Sequence, residues 1–110
     1  MQYLVQMEFV RSGRIPAPEE NIRFMRDFIL PSLQRCMELE TEHKILAGGP
    51  ISGAIAIAMI VEAESHAELS RLLMNLPFWI VMETRVTPLI HFQERQDDVQ
   101  QRLENILNRQ

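Results

Sequence analysis

The stretch Leu72–Phe92, LLMNLPFWIVMETRVTPLIHF, changes its hydrophobic period halfway along, and that change constrains the fold more than any other part of the chain. Leu72, Leu73 and Leu76 close a run with helical spacing. Pro77 cannot continue it, because proline has no amide hydrogen to donate and its ring crowds the preceding turn. Beyond it, Phe78 and Trp79 are expected to open an extended segment whose side chains alternate. Met82, Val86, Ile90 and Phe92 then share one face, and Glu83, Arg85, Thr87 and His91 the other. One face wants a core; the other is free to carry chemistry or meet a partner.

The start of the chain alternates as well, with Tyr3, Val5, Met7 and Phe9 opposed to Gln2, Leu4, Gln6 and Glu8, the pattern of a half-buried strand. Arg11 to Arg14 and Pro16 form a loop, and Pro18 followed by Glu19 and Glu20 marks a helix start. Ile22, Met25, Phe28, Ile29, Leu33 and Met37 recur every three or four residues and are expected to face the sheet. Pro31 predicts a kink or break near Asp27–Pro31, with the second half running to about Glu42. His43 to Ala47 reads as a short strand ended by Gly48, Gly49 and Pro50, and Gly48 to Gly53 as a hairpin into a strand over Ala54 to Val61. That strand is apolar on both faces, and its alanine side permits close approach. Ser65 with Glu68 three residues on has the spacing of a capping box, opening a helix that carries Ala67, Leu69, Leu72, Leu73 and Leu76. After Phe92, Val99, Leu103, Ile106 and Leu107 recur at helical spacing in a polar sequence, a final amphipathic helix.

Strand, helix, strand, strand, helix, strand, helix is a βαββαβ plan with a C-terminal extension: an α+β, ferredoxin-like domain over residues 1–92. Residues 93–110 are a helix that belongs to the same domain or contacts another subunit. Two helices cover one sheet face, so Leu4, the Ala and Ile positions, Val81 and Leu89 would meet water on the other. Pairing two sheets would bury them. The expected assembly is a homodimer with facing sheets, a dimeric α+β barrel, or a higher homo-oligomer built on it.

At 110 residues the chain has room for one core. A net charge of -4, with no basic stripe, argues against nucleic acid and anionic membranes. The lone Cys36 has no disulfide partner, no signal-peptide pattern opens the sequence, and no run approaches a membrane span, which together predict a soluble, cytoplasmic protein. His43, His66 and His91 lack ligand spacing, so no metal is expected. Gly48-Gly49-Pro50-Ile51-Ser52-Gly53 is no phosphate loop, since it lacks the Lys-Ser/Thr ending and leads into a strand.

The junction Leu73-Met74-Asn75-Leu76-Pro77-Phe78, followed by Met82, Val86 and Leu89, is similar to the Leu-Pro junction and last strand of the muconolactone isomerase family, and Ala47-Gly48 matches that family's turn after its second strand. The chain resembles that family over residues 2–92. The resemblance implies a dimeric α+β barrel and a proton moved across an unsaturated lactone without a cofactor, which needs a base near a carbon acid and a cation for the substrate carboxylate. There are departures. The family's isomerases carry a Lys/Glu-rich first helix where this chain has Phe24 to Pro31. Ile45-Leu46 stand in place of a Trp-Arg pair, and residues near Gly49-Pro50 and the last helix are additional. The substrate is therefore not carried over.

The candidate proton carriers are Glu83, His91 and Glu8, with Arg85 as the carboxylate clamp and Phe78 and Trp79 as a wall of the pocket. Each has a plainer reading. Glu83 and Arg85 can pair as a structural ion pair, His91 can be a solvated strand-end residue, Phe78 and Trp79 can be packing, and Cys36 an inert packed thiol. Two classes of function follow. One is an isomerase or lyase without a cofactor, acting on a small carboxylate or lactone in a cleft between sheet and helix. The other is a non-catalytic oligomeric protein that binds a small apolar ligand or simply assembles.

Overall fold

Tyr3, Val5 and Met7 sit at the centre of the molecule because strand β1 (Gln2–Phe9) is flanked on both sides. In the computed structural model, which describes residues 1–10 and 13–109, β1 pairs antiparallel with β3 (Ala56–Glu62) on one side and β4 (Met82–Leu89) on the other, and β2 (Ile45–Pro50) lies outside β3. The order β2-β3-β1-β4 is that of a ferredoxin-like sheet, as the βαββαβ plan requires. Arg11 and Ser12 of the expected loop lie outside the described residues.

One sheet face is covered. Tyr3, Val5, Met7, Ile57, Met59 and Val61 meet Leu39, Leu69, Leu73, Leu76 and Phe78 in a single buried cluster. Each such side chain contributes about 1.5–3 kcal/mol on removal from water. The covering elements are α1 (Pro18–Phe24), α2 (Leu30–Thr41) and α3 (His66–Met74). Between α1 and α2 the chain makes a π-helical turn, Met25–Ile29, in which the Leu30 amide donates to the Met25 carbonyl five residues back. This is how the interruption at Pro31 is accommodated: proline can neither donate an amide bond nor tolerate the carbonyl four residues earlier, and the wider turn relieves both. The extra residue also rotates the helix. Ile22, Met25 and Met37 of the expected stripe are exposed, while Phe24, Phe28, Ser32, Cys36 and Leu39 face inward.

Ser32 is fully buried, and its hydroxyl accepts the Phe78 amide at 2.9 Å. That bond anchors a single 3-10 turn, Pro77–Val81, where extended backbone was expected. Pro77 does end α3, but Phe78 and Trp79 coil before the strand begins at Met82. Val81 consequently packs toward the core and not on the open face.

The glycines after Ala47 do not stop β2. It continues opposite β3 through Gly48, Gly49 and Pro50, with an irregularity between Ile45 and Ala47. An edge strand tolerates the proline. Gly48 is required there: its φ is +110, and a Cβ would collide with the Ala58 carbonyl oxygen. The turn into β3 spans Ile51 to Ile55 and is closed by the Ile51 amide donating to the Ala56 carbonyl at 2.8 Å.

Ser65 caps α3 as its spacing predicts, its Oγ accepting the Glu68 amide at 3.1 Å. Glu68 reaches one residue further back than the usual box and accepts the Glu64 amide at 2.8 Å, while its other oxygen takes Lys44 Nζ at 3.0 Å. The last helix, α4 (Phe92–Leu107), contains no buried residue. It gives the chain a radius of gyration of 19.0 Å and a long dimension of 70 Å. A chain of this length packed in one body would have a radius near ~13 Å.

Candidate functional site

The uncovered sheet face carries the charges. Glu8 on β1 stands directly opposite Glu83 on β4, and Gln6 directly opposite Arg85. Alternation places all four on the same side, with Glu83 and Arg85 one pleat repeat, about 7 Å, apart along β4. Together with Ala56 and Ile51 they line a hollow of about 270 Å³. Ala56 and Ala58 of β3, opposite Glu8 and Gln6, add little bulk beside it. Among the described residues, no side-chain hydrogen bond or ion pair engages Glu8, Glu83 or Arg85. The structural ion pair open to Glu83 and Arg85 is therefore not formed, and both remain available to a third group.

The remaining candidates lie elsewhere. His91 is not on the strand face with Glu83. β4 ends at Leu89, and His91 is the N-cap of α4, about 25 Å of extended chain from Glu83, with no capping bond from its side chain. Phe78 is 2% exposed within the core, and Trp79 is half-buried against it, so neither lines the hollow. His43 follows the end of α2 with φ +59. His66 Nδ1 lies 2.7 Å from the Tyr3 hydroxyl, a bond that satisfies the polar end of a buried tyrosine. Burial pushes the Cys36 thiol up, with the Glu40 charge adding to the effect, so it is held protonated and unreactive. No group of three His, Cys, Asp or Glu side chains among the described residues is placed to hold a metal ion.

The space between sheet and helices holds a second concavity, and it is apolar. Phe9, Val10, Ile15, Phe24, Ile55 and Ile80 are among the side chains lining a groove of about 860 Å³ where α1 meets the ends of β1 and β4. Phe9 and Phe24 stack at 4.8 Å in a tilted pair. Arg14 bridges both oxygens of Glu20 at the groove, at 3.2 and 2.8 Å, which holds the Glu20 carboxyl below its ordinary range. The cleft expected between sheet and helix thus exists, but Glu83 and Arg85 open onto the other face. Gln6 belongs with Glu8 by alternation and was legible as such, while Ala56 joins them only through the register of β1 against β3. The groove was not, because Ile15 and Ile80 sit in irregular segments where no period marks a face.

A sequence model of the muconolactone delta-isomerase family matches residues 1–95. No curated protein sequence matches the chain. Among solved structures, a crystal structure of muconolactone isomerase is similar with a TM-score of 0.63 and 21% identity, over 83% of this chain and 90% of that one. The 5-chloro-2-hydroxyhydroquinone dehydrochlorinase of Burkholderia phenoliruptrix, in complex with 2,5-dihydroxybenzoquinone, gives 0.58 and 24%, over 86% of this chain and 98% of the other. At these identities the two structures share the fold. Among the described residues, no helix is long and apolar enough to cross a membrane.

Proposed function

The chain belongs to the muconolactone delta-isomerase family through residues 1–95, and from that membership we propose that it is an isomerase or lyase, working without a cofactor, that transfers a proton on a small unsaturated carboxylate or lactone. The observation that carries this reading is the convergence of Glu8, Glu83 and Arg85, none of them engaged by another side chain among the described residues, on one hollow. A carboxylate is a competent base toward a carbon acid next to a carbonyl, provided that it is not neutralised by a partner. Glu83 takes the proton from the carbon α to the carbonyl, and the bonding electrons move onto the carbonyl oxygen. Delivery of a proton to the far end of the conjugated system, from Glu83 after exchange with solvent or from Glu8, shifts the double bond. Expulsion of a leaving group from the adjacent carbon instead makes the same step an elimination. Arg85 pairs with the substrate carboxylate and fixes its orientation.

An open hollow leaves the reacting carbon in water. Leu4, Ala58 and Ile60 on the same face are half-buried and Leu89 is exposed, so a second copy laid sheet to sheet would cover both the apolar surface and the hollow. In this reading the homodimer is what excludes solvent from the chemistry.

The test is proton exchange. Muconolactone and a panel of unsaturated lactones and carboxylates are incubated with the protein in D2O and followed by NMR. Deuterium should enter the α position of at least one. Glu83→Gln should slow entry by about 10²–10⁴-fold, and Arg85→Ala should raise KM with the assembly unchanged. No exchange on any member of the panel, or exchange by Glu83→Gln at the parent rate, removes this reading in favour of a non-catalytic oligomeric protein.

A further inference from the structure

The hollow on the open sheet face is charged on one side and apolar on the other. Ala56 on β3, Glu8 on β1 and Glu83 on β4 stand in one row across three strands, and Gln6 and Arg85 stand in the next row. Ile51 lines the same hollow beside Ala56, on the side away from Arg85. Its place is fixed by the turn into β3: its amide donates to the Ala56 carbonyl at 2.8 Å, and its carbonyl accepts the Ala54 amide at 3.4 Å. Such turns are ordinarily made of polar and small residues. Here an isoleucine, 44% exposed, stands next to an alanine whose methyl leaves the space beside Glu8 open. From Arg85 to Ala56 is two strand spacings across and one pleat repeat along, about 12 Å between Cα atoms. Among the described residues that line the hollow, Arg85 is the one cation. A ligand that runs from it toward Ile51 passes Glu8 and Glu83. A second carboxylate at its far end would lie near two like charges without a partner, whereas an apolar end would leave water for Ile51 and Ala56.

We propose that the hollow selects a monocarboxylate with an apolar far end: Arg85 holds the carboxylate, and Ile51 beside Ala56 receives the other end, which makes Ile51 a specificity-determining residue. This rests on the reading of Arg85 as the carboxylate clamp, and it is separate from the proton transfer assigned to Glu83. Acetate is too short to touch both ends. A longer acid gains at Ile51, since each methylene taken from water is worth about fourfold in affinity. A diacid of the same length loses that gain and adds repulsion from Glu8 and Glu83.

Hexanoate and adipate test this directly, because they share a chain length and differ in whether the far end is a methyl group or a carboxylate. Each is titrated, with acetate as the short control, into the full-length protein, and the amide shifts of Gln6, Ile51 and Arg85 are followed by NMR. The parent should bind hexanoate at least fivefold more tightly than adipate or acetate, and Arg85→Ala should lose all three. Ile51 is an exposed turn residue, so its variants should match the parent in circular dichroism. Ile51→Ala should weaken hexanoate at least threefold and leave acetate unchanged. Ile51→Lys, which places a cation at the far end, should turn the preference toward adipate. Adipate bound by the parent as tightly as hexanoate, an Ile51→Lys chain that keeps the parent's preference, or no saturable binding of any of the three acids overturns the proposal. Selective binding of hexanoate by a protein that exchanges no deuterium would leave the apolar seat standing and remove the chemistry assigned to Glu83. Deuterium exchange in a protein whose preference Ile51→Lys does not alter would remove the seat alone.

Discussion

Glu8 and Glu83 stand directly opposite one another on adjacent antiparallel strands, and neither has a side-chain partner among the described residues. Like charges in this position cost a sheet stability. Under the proposed function, the pair is kept at that cost because its chemistry needs two unneutralised carboxylates. Glu8→Gln removes the repulsion and should raise stability by about 0.2–1 kcal/mol in urea unfolding, with the denaturant slope unchanged. A loss of stability would mean that Glu8 is held by attraction to Arg85 and that the charges are structural.

Ser32 predicts the opposite sign. Its fully buried hydroxyl is the acceptor for the Phe78 amide, the bond that starts the turn between α3 and β4. Ser32→Ala leaves that amide unpaired inside the core, and stability should fall by about 1–3 kcal/mol. Thermal unfolding followed by circular dichroism measures it. A change within experimental error would show that water or a shifted turn takes over the amide.

These two residues also mark how far the sequence reached. Alternation put Glu8, Glu83 and Arg85 on one face correctly, because a strand's period is set by its own backbone. Ser32 was invisible, since its burial depends on a π turn that rotates α2 after Phe24, and that turn arises from a clash with Pro31 which shows in the sequence only as an interruption. The expected place of His91 on the strand face is lost for a related reason. Alternation runs on past Leu89 on paper, while the chain has already left the sheet and begun α4. The hollow was legible as charges sharing a face. The groove was not, since it is assembled from a loop, a turn and three strand ends that no single period connects.

Gly48 and Gly49 are adjacent in β2 but should respond differently to the same substitution. Gly48 has φ +110 and no room beside the Ala58 carbonyl, with Met59 Cα 2.6 Å from where a Cβ would stand; Gly49 has nothing within 4 Å. Gly48→Ala should cost about 2–4 kcal/mol through strain and displacement of β3. Gly49→Ala should stay within about 0.5 kcal/mol. Urea midpoints of the two variants settle the comparison, and equal midpoints would show that β2 shifts freely against β3.

Glu68 sets a pH dependence. Its carboxylate accepts the Glu64 amide and takes Lys44 Nζ, and these contacts, the amide first, hold it below its ordinary value near 4.5. A carboxyl that gives up its proton more readily when folded contributes stability above its unfolded value, and that contribution is lost as pH falls through the folded one. In Glu68→Gln the amide oxygen can still accept from Glu64, but the charge facing Lys44 is gone. The variant should therefore melt lower than the parent at neutral pH, and the two melting curves should converge as the pH is brought below the ordinary carboxylate value. Added salt should narrow the neutral-pH difference, because it screens the partly exposed Lys44 pair that the variant lacks. Parallel pH profiles for the parent and the variant would mean that Glu68 has the same proton affinity folded and unfolded, and that α3 is tied to the start of β2 by packing alone.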